Sequence, residues 1–185
     1  MSNESGRIYF ERGDVAVSAR ILLTGFRNSS SQKLLRYAYS CDTLLLPNHK
    51  VLDGELLIQQ LKKKAYDLVI CLGQKPNLKD KICLETTAHN LGLYVETMAD
   101  CQRLKYHFLN NGIHVRVSEN AGTSFCNALY FQGLDYLFAN QLRTVLVFIH
   151  IPFEKNISNP TVFYKQFFHS VEQLMDKEVD FLWRS

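Results

Sequence analysis

From residue 19 onward the chain alternates between short, continuous apolar runs and stretches with helical spacing of apolar positions. Arg20-Ile-Leu-Leu-Thr24 ends at Gly25, Thr43-Leu-Leu-Leu-Pro47 at a proline, and Leu68-Val-Ile-Cys-Leu72 at Gly73. A fourth run covers Thr144 to His150. Runs that are apolar throughout, not at every second position, predict strands of a sheet covered on both faces. Shorter extended segments are expected at Leu93–Val95 and Val115–Val117. Helical spacing marks Ser30–Tyr39, Leu52–Lys64, Ala99–Leu109, Phe125–Asn140 and Val162–Lys177, with a serine run to cap the first of these. Strands alternating with helices predict one α/β/α layered domain spanning residues 1–185. The first 18 residues stand outside the alternation. There Ile8-Tyr-Phe10 and Val15-Ala-Val17, on either side of Arg12-Gly-Asp14, read equally well as an added edge hairpin or as a loose arm.

Composition narrows the function classes. With 46% apolar and 21% charged residues, the chain can build a core, and global disorder is excluded. A net charge of +3 is too mild to point to a nucleic-acid partner, and Lys62-Lys63-Lys64 reads as a helix end, where cations favour the exposed carbonyls. No apolar run approaches the roughly 20 residues of a membrane span, and the N-terminus has no apolar leader core. A cytoplasmic protein without membrane contact is expected. The five cysteines, Cys41, Cys71, Cys83, Cys101 and Cys126, are odd in number and form no CxxC pair, which argues against a zinc ribbon or a disulfide framework. No metal site is expected from these cysteines or from the histidines. His49, His107, His114 and His169 are expected on surfaces or helix faces, and His89 is a weaker candidate for a second polar group near Glu85. Phe163, Tyr164, Phe167 and Phe168 read as core, with a homo-oligomer face as the alternative.

The chemistry concentrates at Cys126. It follows Ala121-Gly-Thr-Ser-Phe125 at the start of a predicted helix, and His150 ends the next predicted strand. A cysteine at a helix N-terminus is a candidate nucleophile, because the backbone N–H groups there favour the thiolate and lower its pKa. An imidazole within reach can take the thiol proton and return it to a leaving amine.

Four segments in register resemble the pyroglutamyl peptidase I (pyrrolidone-carboxylate peptidase) family. They are Ile21-Leu-Leu-Thr-Gly-Phe26, Asp67-Leu-Val-Ile-Cys-Leu-Gly-Gln74, Ile82-Cys-Leu-Glu-Thr-Thr-Ala-His-Asn90, and the Ala-Gly-Thr-x-x-Cys-Asn run ending at Asn127 with Phe148-Ile-His-Ile-Pro152 downstream. The resemblance implies a three-layer α/β/α sandwich around a mixed, mostly parallel sheet. It implies Cys126 as nucleophile, His150 as base and Glu85 as the residue that orients the imidazole, with Phe26, Gln74, Ser124 and Phe125 at substrate-pocket positions. The implied activity is removal of N-terminal pyroglutamate from peptides, without metal or cofactor. Two features depart from the family pattern. Phe26 is followed at once by Arg27-Asn28-Ser29-Ser30, without the family's second aromatic wall, a loss of about 1–3 kcal/mol of binding on area grounds. The family's arginine beyond the matching glutamate has no counterpart near Val95. The same nucleophile acting on a different small amide or lactam, or a catalytically silent binding protein, are the alternatives.

Overall fold

The computed structural model describes residues 18–177 and 179–184. The chain runs β1 (Ile21–Phe26), α1 (Ser30–Leu35), β2 (Asp42–Leu46), α2 (Leu52–Lys63), β3 (Leu68–Lys75), β4 (Lys81–Glu85), β5 (Thr87–Asn90), β6 (Leu93–Glu96), α3 (Cys101–Asn110), β7 (His114–Ser118), α4 (Phe125–Ala139), β8 (Val145–Pro152) and α5 (Pro160–Met175). Six strands form one sheet in the order β2-β1-β3-β8-β4-β7. The first four are parallel to one another, β4 runs antiparallel to β8, and β7 is parallel to β4. The sheet is therefore mixed and mostly parallel, as expected.

The apolar runs occupy the middle of this sheet. All six residues of β1 and all eight of β8 are buried, so their continuous hydrophobicity follows from cover on both faces. One face packs on α1, α3 and α5 through Leu34, Leu104, Phe108, Phe163, Phe167 and Val171. The other packs on α2 and α4 through Leu57, Leu61, Leu129 and Tyr130. Phe163, Tyr164, Phe167 and Phe168 are all core residues. Cys71, Cys83 and Cys101 are buried small side chains, and Cys41 is half-buried. No helix among the described residues is long and apolar enough to cross a membrane.

Several boundaries differ from the sequence reading. Helix α1 stops at Leu35, short of Tyr39, while Ser29 serves as its cap by accepting the Gln32 N–H. Strand β3 continues past Leu72 because Gly73, Gln74 and Lys75 pair with His150, Ile151 and Pro152. Strands β4 and β5 lie where the sequence suggested no strand. The first, Lys81-Ile-Cys-Leu-Glu85, alternates: Ile82 and Leu84 join the α1/α3/α5 core, leaving Cys83 and Glu85 for the opposite face. The extended segment at Leu93 pairs with β5 in a separate two-stranded ribbon, not with the main sheet. His107, expected on a surface or a helix face, lies on the buried face of α3, and its Nε2 is 2.7 Å from the Ser170 carbonyl oxygen, tying α3 to α5. The N-terminal hairpin or arm, expected within residues 1–18, lies outside those described except for Ser18.

One tie between layers bears on the site. The fully buried Tyr130 of α4 donates its hydroxyl to the Glu85 carbonyl oxygen at 2.8 Å. Tyr130→Phe would leave that carbonyl without this partner, and urea unfolding is expected to show a loss of about 1–3 kcal/mol.

Candidate active site

Strands β3, β4 and β8 meet helix α4 at the carboxyl ends of β3 and β8, on the α2/α4 face. Gly73 on β3 is the register partner of His150 on β8. Side chains of such partners leave the same face of a sheet, as do those two positions apart on one strand. A Cβ added at Gly73 would lie 2.9 Å from Cys126 Sγ and 2.9 Å from Phe148 Cε1. The sulfur thus rests over the bare glycine, on the same face as His150 and beside Phe148, whose ring is 4.9 Å from the imidazole. Glycine is required here for the close approach, not for its backbone angles.

The turn into α4 explains how the thiol is delivered. Gly122 has φ +86°, a left-handed conformation that suits glycine, and its N–H donates to Asn120 Oδ1 at 2.9 Å. Ser124 then caps the helix, accepting the Cys126 N–H on its Oγ at 3.3 Å. Asn127 fixes the helix against β5, donating from Nδ2 to the His89 carbonyl oxygen at 2.7 Å and accepting the His89 N–H at 3.0 Å. His89 itself lies against a different cavity, with Asn127 and Gln132, and does not line the one beside the thiol.

Glu85 is fully buried. Its Oε1 is 2.8 Å from His150 Nδ1 and accepts the Lys75 ammonium at 3.0 Å. With Nδ1–H on the carboxylate, Nε2 is left with its lone pair. Glu85 Oε2 has no hydrogen bond of good geometry, although the Ser118 hydroxyl, on its register partner in β7, supports the carboxylate more loosely. Burial pushes the carboxyl up, but bonds from His150, Ser118 and Lys75 outweigh it and hold Glu85 below the ordinary carboxylate value. Lys75 reaches across β8 from β3 and also donates to the Asn120 carbonyl oxygen at 3.0 Å. It is a site residue that the sequence did not single out, because its partner lies on a strand two places away in the sheet.

The thiol corrects the expectation of a lowered pKa. Burial pushes Cys126 up to about 11, against smaller lowering by the Ser124 hydroxyl and the Cys126 N–H. Desolvation of the anion outweighs the helix terminus. The resting site therefore holds a neutral thiol.

A cavity of about 250 Å³ opens beside the sulfur, lined by Phe26, Asn48, Gln74, Ser124, Phe125 and Phe153 among others. Phe26 and Phe125 meet at 5.0 Å between ring centroids. Phe125 and Phe153 supply aromatic wall where the loop after Phe26 has none. Gln74 is oriented without ambiguity: the Ser30 backbone N–H can only donate, so the Gln74 atom 3.1 Å away is its oxygen. The Ser30 hydroxyl approaches the same oxygen at 3.3 Å.

The fold and site define an α/β/α protein with a cysteine, a histidine and a glutamate grouped on one face of a mixed sheet. No protein-family profile matches the sequence, and no curated protein matches it. Solved structures do match. The pyroglutamyl peptidase I of Bacillus amyloliquefaciens superposes with a TM-score of 0.75 at 20% identity, over 88% of this chain and 97% of that one. A pyrrolidone carboxyl peptidase of Fervidobacterium islandicum AW-1 gives 0.73 at 20% identity, over 85% and 97% of the two chains. That of Thermococcus litoralis gives 0.71 at 17%, over 85% and 93%. The chain has the fold of the pyroglutamyl peptidases.

Three outcomes follow from this geometry. In the free protein, alkylation of Cys126 by iodoacetamide is expected to keep rising above pH 9 without levelling, because the thiol titrates only near 11; mass spectrometry of the labelled peptide reads it. Gly73→Ala is expected to displace the sulfur and change the rate of Cys126 alkylation while the chain stays folded, as read by circular dichroism. Lys75→Met removes a charged hydrogen bond from a buried carboxylate and is expected to lower the unfolding free energy at neutral pH by about 1–3 kcal/mol. Glu85 is depressed in the folded state, so stability from its ionised form is present above the unfolded value and is lost as pH falls through the folded one. The Lys75→Met deficit should shrink over that same acid window in urea titrations.

Proposed function

We propose that this protein is a cysteine hydrolase that removes pyroglutamate from the N-terminus of peptides, with Cys126 as nucleophile, His150 as general base and acid, and Glu85 orienting the imidazole. The observation that carries the reading is the 2.8 Å Glu85–His150 bond beside a thiol seated over Gly73. The names of the structural neighbours, all pyroglutamyl or pyrrolidone carboxyl peptidases, support the substrate.

In this mechanism His150 Nε2 takes the thiol proton as the sulfur attacks the scissile carbonyl. The timing matters: a thiol that titrates near 11 gives little thiolate at rest, so deprotonation accompanies attack. The imidazolium formed is stabilised by Glu85 and gives its proton to the leaving amine. Water then attacks the thioester, His150 again serving as base, and releases the acid. N–H groups in the first turn of α4 are suited to the oxyanion, where one donor is worth about 3 kcal/mol. Gln74 supports recognition of a lactam: its oxygen is occupied by Ser30, so its amide N–H groups remain to donate to the ring carbonyl.

A second reading keeps the nucleophile and changes the substrate to another small amide or lactam. The Phe26–Phe125 contact favours it, because rings 5.0 Å apart leave no slot for a flat ligand between them.

Hydrolysis of a fluorogenic pyroglutamyl amide separates these readings. The proposal expects turnover by the wild type, lost by about a thousandfold or more in Cys126→Ala and in His150→Ala, with Glu85→Gln also severely impaired. Absent turnover of this substrate, with another small amide or lactam hydrolysed by the wild type and not by Cys126→Ala, would transfer support to the second reading. If no amide or lactam were turned over, the protein would be a silent member of the fold.

A further inference from the structure

The cavity beside Cys126 does not end at Phe153. A larger one, about 510 Å³, adjoins it and shares Asn28, Ser29, Gln74 and Phe153 with it. The two form a continuous cleft from the sulfur outward over α1. Its charge is strongly one-sided. Arg27 stands on the inner part, and Lys33, Arg36 and Lys155 stand on the outer part. The single acid there, Glu154, is already paired with Lys33. Four cations against one carboxylate give the cleft an excess equal to the +3 of the whole chain, so the remainder of the molecule is balanced.

These cations are also unspent. Among the described residues, Arg27, Arg36 and Lys155 have no ion-pair partner, although pairs are formed elsewhere by Arg20, Lys64, Arg103 and Arg184. All three are exposed and free to turn toward a ligand. Beside Ser30 and Glu154, the Tyr164 hydroxyl is buried without a hydrogen bond of good geometry. A concave surface with unpaired cations concentrates anions and raises their on-rate, an effect that salt removes.

We propose that this cleft binds the part of the substrate beyond the scissile bond, and that the substrate is an acidic peptide with carboxylates in the residues following the one removed. The inference rests on the peptidase reading of Cys126 and adds its specificity. Arg27 would meet the first carboxylate, and Arg36 and Lys155 those further out. The arginines offer two parallel N–H donors to a carboxylate, a match that lysine lacks.

The test is binding, which needs no turnover. The full chain carrying Cys126→Ala is titrated by calorimetry with pyroglutamyl-Ala-Glu-Glu, pyroglutamyl-Ala-Lys-Lys and their counterparts beginning with alanine in place of pyroglutamate. The acidic peptides are expected to bind at least tenfold more tightly than the basic ones. That preference should collapse at high salt and in the added Arg36→Glu/Lys155→Glu variant, whose exposed positions leave the core untouched. Basic peptides binding as well as acidic ones, an acid preference that survives the double variant, or no binding by any peptide would each overturn the cleft's role. The cap reports separately on the enzymatic reading. Acidic peptides that bind equally tightly with either cap would keep the cleft and remove pyroglutamate as the recognised residue.

Discussion

The buried carboxylate of Glu85 is the constraint on which the site depends. A carboxylate taken wholly out of water is unstable unless donors replace the lost solvent. Here His150 and Lys75 both supply Oε1, so the group that fixes the imidazole is itself held by a cation from another strand. That arrangement ties β3, β4 and β8 together at their functional ends. It also fixes the loop before α4, because Lys75 grips the Asn120 carbonyl as well. Orientation of the His150 ring, ionisation of Glu85 and placement of the helix that carries Cys126 are therefore one electrostatic problem with one solution.

Packing supplies the second half. The sulfur's seat over Gly73 is a gap in the layer of side chains, flanked by Phe148. Burial there pushes the thiol up, so the site holds Cys126 in neutral form. A neutral thiol is less open to indiscriminate oxidation than a resting thiolate.

Much of the fold was legible because the central strands are continuous apolar runs, a pattern set by cover on both faces. β1, β3 and β8 were visible for that reason. β4 was not: five alternating residues with Lys81 and Glu85 at their ends resemble a loop as much as a strand, and its reversed direction is decided by pairing with β8 far along the chain. The approach to Cys126 was legible through the Gly122-Thr123 turn, a local signal, whereas Ser124 was read only as a pocket position and proves also to cap the helix. The state of the thiol was misread, since the helix terminus is a local signal and burial in the packed layer over Gly73 is not. Lys75 escaped notice because nothing near it in sequence names Glu85 as its partner.

The strand order has a consequence for how the molecule is made. β8 is the last strand of the main sheet in sequence yet lies fourth of six across it, between β3 and β4. Before it docks, β1, β2 and β3 can assemble on one side and β4 with β7 on the other, each presenting an open edge toward the gap. β8 is thus a keystone, and it carries His150. Insertion joins the two halves, removes two aggregation-prone edges and brings His150 to Glu85 in a single event. Long-range closure of this kind is slow, but it means that in an incompletely folded chain the Glu85–His150 contact does not exist until the architecture is finished.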